Sequence, residues 1–220
     1  MSLMLYYHPL SSYCHKALIA LYENGVACDK TLVNLGDPAE RAMLAALWPI
    51  AKFPVLQDRD LGLVLPESSI IIEHLDRHYP STHRLLPDDQ DLALQVRLWD
   101  RILDNYVHSP MQQIVADRIQ GSRGDMSALR AMLGVAYGMI DRQLGAREWL
   151  VGDRFGLADC AATPALFYAS VLQPFPAECT WLAAYFERLV ARPSVRRVLE
   201  EAKPWFQYFP FADDLPARFR

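Results

Sequence analysis

The sequence has few cysteines and no long apolar run. Of its 220 residues only four are cysteines, at positions 14, 28, 160 and 179, and their spacing fits neither a zinc site nor a dense disulfide framework. We therefore expect reduced thiols and a cytoplasmic location. The longest apolar stretch, residues 161–172, is interrupted by polar residues and is too short to span a bilayer. The N-terminus lacks the basic-then-apolar pattern of a secretory leader, so we expect neither a leader nor a membrane partner.

An excess of charge of one sign is also missing. The chain has 22 Lys and Arg against 26 Asp and Glu, for a formal net charge of −4. No basic block is long enough to follow a phosphate backbone, so we expect no nucleic-acid partner. His74 and His78 are four residues apart, but nothing else in the pattern completes a metal site. We therefore predict no metal.

The first 80 residues show strand and helix patterns in the order βαβαββα. Short β-prone runs alternate with amphipathic segments, and a glycine or proline marks several of the ends. The predicted strands are 4–8, 28–33, 53–57 and 61–65, and the predicted helices are 12–24, 38–47 and 67–79.

After a polar linker at residues 81–88, strand patterns disappear. The remaining chain, residues 89–220, has the spacing of an all-helical domain. Proline interrupts a helix because it lacks the N–H of the helical ladder, so the first helix is expected to bend at Pro110. The predicted helices are 92–119, 126–144, 157–172, 180–191 and 194–202.

The turn from the first strand to the first helix carries two serines, Ser11 and Ser12. The start of a helix presents unpaired backbone N–H groups, and a serine there adds a hydroxyl. This combination favours an anionic ligand, and a thiolate in particular.

Four segments carry a resemblance to a known family. Residues 11–21 read Ser-Ser-Tyr-Cys-His-Lys-Ala-Leu-Ile-Ala-Leu, and residues 48–56 read Trp-Pro-Ile-Ala-Lys-Phe-Pro-Val-Leu. Residues 65–75 read Leu-Pro-Glu-Ser-Ser-Ile-Ile-Ile-Glu-His-Leu, and residues 152–161 read Gly-Asp-Arg-Phe-Gly-Leu-Ala-Asp-Cys-Ala. In this order and spacing, over nearly the whole chain, they resemble the cytosolic glutathione S-transferases, with a serine-first helix like that of the zeta and theta classes.

The resemblance implies a fold and a reaction. The fold is a thioredoxin-like βαβαββα domain, residues 1–80, that binds glutathione, followed by an α-helical bundle domain, residues 89–220. The expected reaction is conjugation of the glutathione thiolate to a small hydrophobic electrophile, by a homodimer. The alternatives are a glutathione-dependent isomerase or dehalogenase, a thiol-disulfide reductase, and a non-catalytic binding module built on the same fold.

The resemblance also implies which residue activates the thiol. Lowering a thiol pKa by about 2 units corresponds to about 2.7 kcal/mol in favour of the thiolate. A hydrogen bond from a hydroxyl to a charged group supplies about 1.5–3 kcal/mol, so Ser11 is the predicted catalytic residue. Two alternatives stay open: Tyr6 as the hydroxyl donor, and Cys14 as the partner in a mixed disulfide. The helical spacing favours packing for Cys14, and Tyr6 fits a packed strand aromatic.

By the same resemblance, further residues are assigned to binding. Glu67 and Ser68 would hold the ammonium and α-carboxylate of the γ-glutamyl group, and Phe53, before a cis Pro54, would pair with the cysteinyl part. Ser12 and Lys52 complete the predicted glutathione site, with Lys52 reaching the glycyl carboxylate. The predicted electrophile pocket consists of Leu10, Tyr106, His108 and Met111. Asp159, three residues after Gly156, is expected to cap a helix and to matter for folding.

Overall fold

The computed structural model of the protein describes residues 2–81 and 84–220. It divides into two compact units, Met1–Leu86 and Pro87–Arg220. The predicted linker, residues 81–88, crosses this division, and Thr82 and His83 within it lie outside the described residues.

The first unit has the predicted order βαβαββα, which is thereby confirmed. Four strands form one mixed sheet in the order β2-β1-β3-β4, in which β1 and β2 are parallel and the other two pairs are antiparallel. Its elements are β1 (Leu3–Tyr7), α1 (Ser12–Glu23), β2 (Asp29–Leu32), α2 (Pro38–Leu47), β3 (Val55–Asp58), β4 (Leu63–Pro66) and α3 (Ser68–His78).

The strand register aligns three chain segments at one edge of this sheet, where "edge" means the side at which the strands end and not an outer strand. Tyr6 pairs with Val55, and Val55 pairs with Pro66. Because β1 and β4 each run antiparallel to β3, both end at the edge where β3 begins. The turn into α1, the segment before β3 and the start of α3 therefore lie side by side.

Both faces of the sheet are covered by helices. Side chains alternate between the faces of a strand, so Leu5 faces away from its neighbour Tyr6. Tyr6 packs against a buried cluster that includes Leu44 of α2 and Val55 of β3. On the other face, α1 and α3 pack against each other, and α1 is buried around nearly its whole circumference.

The second unit is all-helical, as predicted. Among residues 2–81 and 84–220, none of the helices has the length and apolarity needed to cross a membrane. The elements of this unit are α4 (Gln90–Leu103), α5 (Ser109–Gln120), α6 (Ser127–Leu144), α7 (Leu157–Leu172), α8 (Thr180–Ala191) and α9 (Pro193–Ala202), followed by short 3₁₀ turns.

The helix predicted over residues 92–119 is present as continuous helical backbone, and it contains a π-helical segment that the sequence did not indicate. A π-helical turn, Asp104–His108, separates α4 from α5. Within it the N–H of Ser109 donates to the carbonyl of Asp104, five residues back. Pro110 has no N–H to donate, and the π-helical turn ends two residues before it.

Asp159 anchors the buried helix α7. Its carboxylate accepts hydrogen bonds from the N–H of Gly156 at 2.8 Å and the N–H of Leu150 at 3.0 Å. The Tyr185 hydroxyl also donates to it. Burial raises the pKa of Asp159 to about 6, against the opposing effect of these donors. The helix-capping role predicted for this carboxyl is present, with two further partners that the spacing did not indicate.

Candidate functional site

Ser11 caps the first helix. Its backbone is extended, with φ −78° and ψ 117°, and its Oγ accepts a hydrogen bond from the N–H of Cys14 at 3.3 Å. Its own N–H donates to the carbonyl of His8 at 3.0 Å, which closes the turn after β1. A hydroxyl has one proton and two lone pairs, so Ser11 can accept the cap bond and still donate to a ligand. The hydroxyl lies where the positive end of the α1 dipole also favours an anion.

The cysteine of this helix has the environment of a core residue. Cys14 is fully buried, and burial raises the pKa of its thiol to about 12. Since the thiolate is the reactive form, this thiol is poorly suited to exchange with a disulfide at neutral pH. The structure favours the packing interpretation of Cys14 over the mixed-disulfide alternative.

Tyr6, the alternative hydroxyl donor, has packing and hydrogen-bond partners of its own. Tyr6 lies against the buried cluster of Leu44 and Val55. Its hydroxyl donates to Gln57 Oε1 at 3.3 Å. These contacts suit a strand aromatic, and they favour Ser11 over Tyr6 as the hydroxyl donor.

The peptide bond between Phe53 and Pro54 is cis, as the family resemblance implies. Among the described residues, none hydrogen bonds to the main chain of Phe53. The Phe53 ring stacks on the His8 ring, with centroids 5.8 Å apart and an angle of 17° between the planes. Lys52, one residue earlier, is exposed. The segment therefore offers a free main-chain edge and a nearby cation.

The start of α3 has an unusual backbone. Glu67 has φ 69° and ψ 113°, a region that a residue with a side chain rarely occupies and that stores strain. Its carbonyl accepts from the N–H of Ile71 at 2.9 Å, which starts the helix, and its side chain is exposed. Ser68, the first helical residue, is only 4% exposed. Strain of this kind is typical of functional positions, and the first-turn N–H groups suit a carboxylate.

The sheet brings these predicted residues to one edge. Ser11 and Ser12 follow β1, Phe53 precedes β3, and Glu67 and Ser68 follow β4. All belong to the first unit, and the strand register places them in the order β1, β3, β4. Ser12 is buried at the start of α1. The predicted glutathione site is thus one contiguous region in the structure.

The predicted electrophile pocket is not assembled by one unit. Leu10 belongs to the first unit, and Tyr106, His108 and Met111 belong to the second. Tyr106 is 49% exposed, whereas His108 and Met111 are buried, and His108 Nδ1 donates to Asp104 Oδ1 at 3.1 Å. Tyr106 has surface that a ligand can reach, while the other two have the burial of core residues. The pocket stays a prediction.

Two polar residues near this edge, His8 and Lys16, were not among the residues predicted from the sequence. His8 Nδ1 accepts a hydrogen bond from the N–H of Leu10 at 3.2 Å, and burial lowers the pKa of the imidazole. Lys16 is fully buried, and its ammonium donates to Ser69 Oγ at 2.8 Å. The sequence signal for Lys16 was its position directly before the apolar run at residues 17–21. A lysine that is buried with such a run needs polar partners.

Comparisons with known proteins agree with this architecture. Residues 5–83 match the family model of the glutathione S-transferase N-terminal domain, and residues 106–193 match that of the C-terminal domain. The chain is 35% identical over 164 residues to a stringent starvation protein A homolog of Coxiella burnetii, covering 74% of each chain. It is 32% identical over 177 residues to a maleylacetoacetate isomerase of Pseudomonas aeruginosa, covering 77% of this chain and 81% of the relative.

A solved structure agrees as well. A glutathione S-transferase from Methylobacterium radiotolerans, in complex with glutathione sulfonate, superimposes with a TM-score of 0.77 at 29% identity. The match covers 89% of this chain and 93% of that one. Because the two family models together cover most of the sequence, the protein belongs to the glutathione S-transferase family, an enzyme family whose solved structures similar to this chain include one with glutathione bound.

Proposed function

We propose that the protein conjugates the glutathione thiolate to small hydrophobic electrophiles, with Ser11 as the residue that stabilises the thiolate. The observation that carries this proposal is the alignment of Ser11, Phe53 and Ser68 along one sheet edge. Adjacent strands lie about 4.8 Å apart, so β1 and β4 are separated by about 10 Å. An extended tripeptide spans a similar distance, about 10 Å.

Each part of glutathione then has a matching group. The γ-glutamyl α-carboxylate lies at the start of α3, on the N–H and hydroxyl of Ser68, and its ammonium lies beside Glu67. The cysteinyl main chain pairs with Phe53. Lys52 neutralises the glycyl carboxylate, and Ser12 supports the start of α1 next to the sulfur.

The chemistry requires no base at Ser11. The thiol proton leaves to solvent, and the Ser11 hydroxyl donates its hydrogen bond to the sulfur anion that remains. Such a bond supplies about 1.5–3 kcal/mol, and the α1 N-terminus adds about 0.3–1 kcal/mol. Together they cover the roughly 2.7 kcal/mol that a two-unit fall in the thiol pKa requires. The thiolate then forms a carbon–sulfur bond with the electrophile by addition or displacement.

Isomerisation is the second candidate. The relative named maleylacetoacetate isomerase covers three quarters of this chain, and a thiolate that adds to an alkene and leaves again produces isomerisation instead of a conjugate. The same site would serve this reaction, as it would dehalogenation. The relative named stringent starvation protein A homolog does not carry the name of a transferase, and the non-catalytic binding module stays a further alternative.

A glutathione titration followed by an electrophile panel separates these functions. We expect saturable glutathione binding, and conjugate formation with at least one aromatic halide or activated alkene. Turnover of a cis-alkene diacid without stable conjugate would favour the isomerase. Binding without turnover of any electrophile would favour the module. Absence of glutathione binding would exclude every glutathione-dependent reaction and leave only the module.

The expected homodimer is part of the proposal. Leu94 and Leu98, one turn apart on α4, are exposed apolar side chains. Light scattering after gel filtration should give twice the chain mass of 25.0 kDa. A monomer at micromolar concentration would contradict this expectation.

We further propose a cytoplasmic location, which agrees with the free cysteines of the described residues. We also propose a role in detoxification, which agrees with conjugation of hydrophobic electrophiles.

A further inference from the structure

Lys16 is a fully buried cation in the glutathione-binding unit. Its side chain extends from α1 to α3, where Nζ donates to Ser69 Oγ at 2.8 Å. Lysine is almost never fully buried without polar partners, because removal of an ammonium from water is costly. Ser69 is one such partner, and it lies in the first turn of α3.

The position of this contact matters because Ser69 follows Ser68 directly. Ser68 is the residue that the proposed function assigns to the γ-glutamyl α-carboxylate. A hydroxyl that accepts a hydrogen bond from an ammonium becomes a better donor through its own proton. The hydrogen bond also places the Lys16 ammonium at the end of α3 where the N-terminal N–H groups already favour an anion.

We propose that Lys16 is a positioning residue for glutathione: through Ser69 it strengthens recognition of the γ-glutamyl α-carboxylate at the start of α3. This inference rests on the proposed function and adds to it a residue that contacts no reacting atom.

The test compares two ligands and three proteins. One ligand is glutathione, and the other is 4-aminobutyryl-cysteinyl-glycine, which is glutathione without that carboxylate. Lys16→Met removes the charge while keeping an unbranched side chain of similar size. Lys30→Met is the control, because Lys30 is an exposed lysine on β2 of the same unit.

We expect Lys16→Met to weaken glutathione binding about tenfold and to change binding of the shortened peptide less than about twofold. The KM for glutathione should rise with little change in kcat, since the lost interaction is the same in the ground and transition states. Lys30→Met should bind both peptides as the parent protein does.

Equal weakening of both peptides by Lys16→Met would show that Lys16 only supports the fold, and it would overturn the inference while leaving the proposed function intact. If Lys16→Met fails to fold, Ser69→Ala takes its place, because it removes the acceptor and keeps the lysine. Ser69→Ala should weaken glutathione binding more than binding of the shortened peptide, and equal effects again overturn the inference. A parent protein that binds no glutathione overturns the proposed function itself.

Discussion

Ser11 has two roles that substitutions can separate. Its Oγ accepts the cap hydrogen bond from the N–H of Cys14 at 3.3 Å, and its hydroxyl proton is proposed to donate to the glutathione sulfur. Alanine removes both roles, threonine retains both, and aspartate retains only the acceptor. These three variants therefore distinguish a helix cap from a thiolate donor.

The magnitudes follow from the geometry. Loss of an N-cap side chain costs about 0.5–2 kcal/mol, and the long cap bond places Ser11→Ala toward the lower half of that range. Loss of the hydroxyl donor costs about 1.5–3 kcal/mol of thiolate stabilisation, which raises the bound thiol pKa by about 1–2 units. Ser11→Asp should keep the parent stability yet raise the thiol pKa at least as far, because a carboxylate beside the sulfur repels the thiolate.

The assay is a pH titration of bound glutathione by the ultraviolet absorbance of its thiolate, paired with urea unfolding of each variant. We expect the thiol pKa to rise in Ser11→Ala and Ser11→Asp and to stay low in Ser11→Thr. Only Ser11→Ala should lose stability. If the thiol pKa of Ser11→Ala matches the parent value, Ser11 is a cap alone, and the assignment of its catalytic role is wrong.

Three further outcomes are expected. Asp159→Ala should destabilise the protein by about 3 kcal/mol in urea unfolding, because three buried donors lose their acceptor; a loss below 1 kcal/mol would contradict this. Cys14 should form no mixed disulfide with oxidised glutathione in native mass spectrometry, because burial keeps its thiol protonated; an adduct at this residue would revive the disulfide route. Burial raises the pKa of Asp58, but hydrogen bonds from His74 and Tyr79 outweigh it and hold this pKa below its ordinary 3.8, so the folded state favours the ionised form. Asp58→Asn should therefore cost about 2 kcal/mol at neutral pH, and the difference should shrink as the pH falls through 3.8 and below; a constant difference would refute the linkage.

Local patterns predicted the elements of the first unit well. Ser11 is a strong N-cap residue, and Gly25, with φ 62°, follows the end of α1 in the left-handed region that glycine tolerates. These signals depend on a few neighbouring residues, so a single sequence contains them. The edge that gathers Ser11, Phe53 and Ser68 depends on strand pairing between distant segments, and only the family resemblance indicated it.

Two features could not be predicted because they arise from packing. The sequence indicated a bend at Pro110, whereas the structure has a π-helical turn, Asp104–His108, that ends two residues before it. The burial of Lys16 depends on where α3 packs against α1, and a lysine next to an apolar run is equally compatible with an exposed position. Glu67 has a positive φ, and a glutamate does not indicate that conformation in a sequence as a glycine or an asparagine would.

The central claim is that the site holds the sulfur of glutathione as an anion. Calorimetric titration at pH 7 in two buffers of different ionisation enthalpy measures the protons released on binding. With a free thiol pKa of about 8.5 and a bound value about two units lower, binding should release about 0.7 proton, and S-methylglutathione should release none. Binding heats for glutathione that do not depend on the buffer would contradict the account.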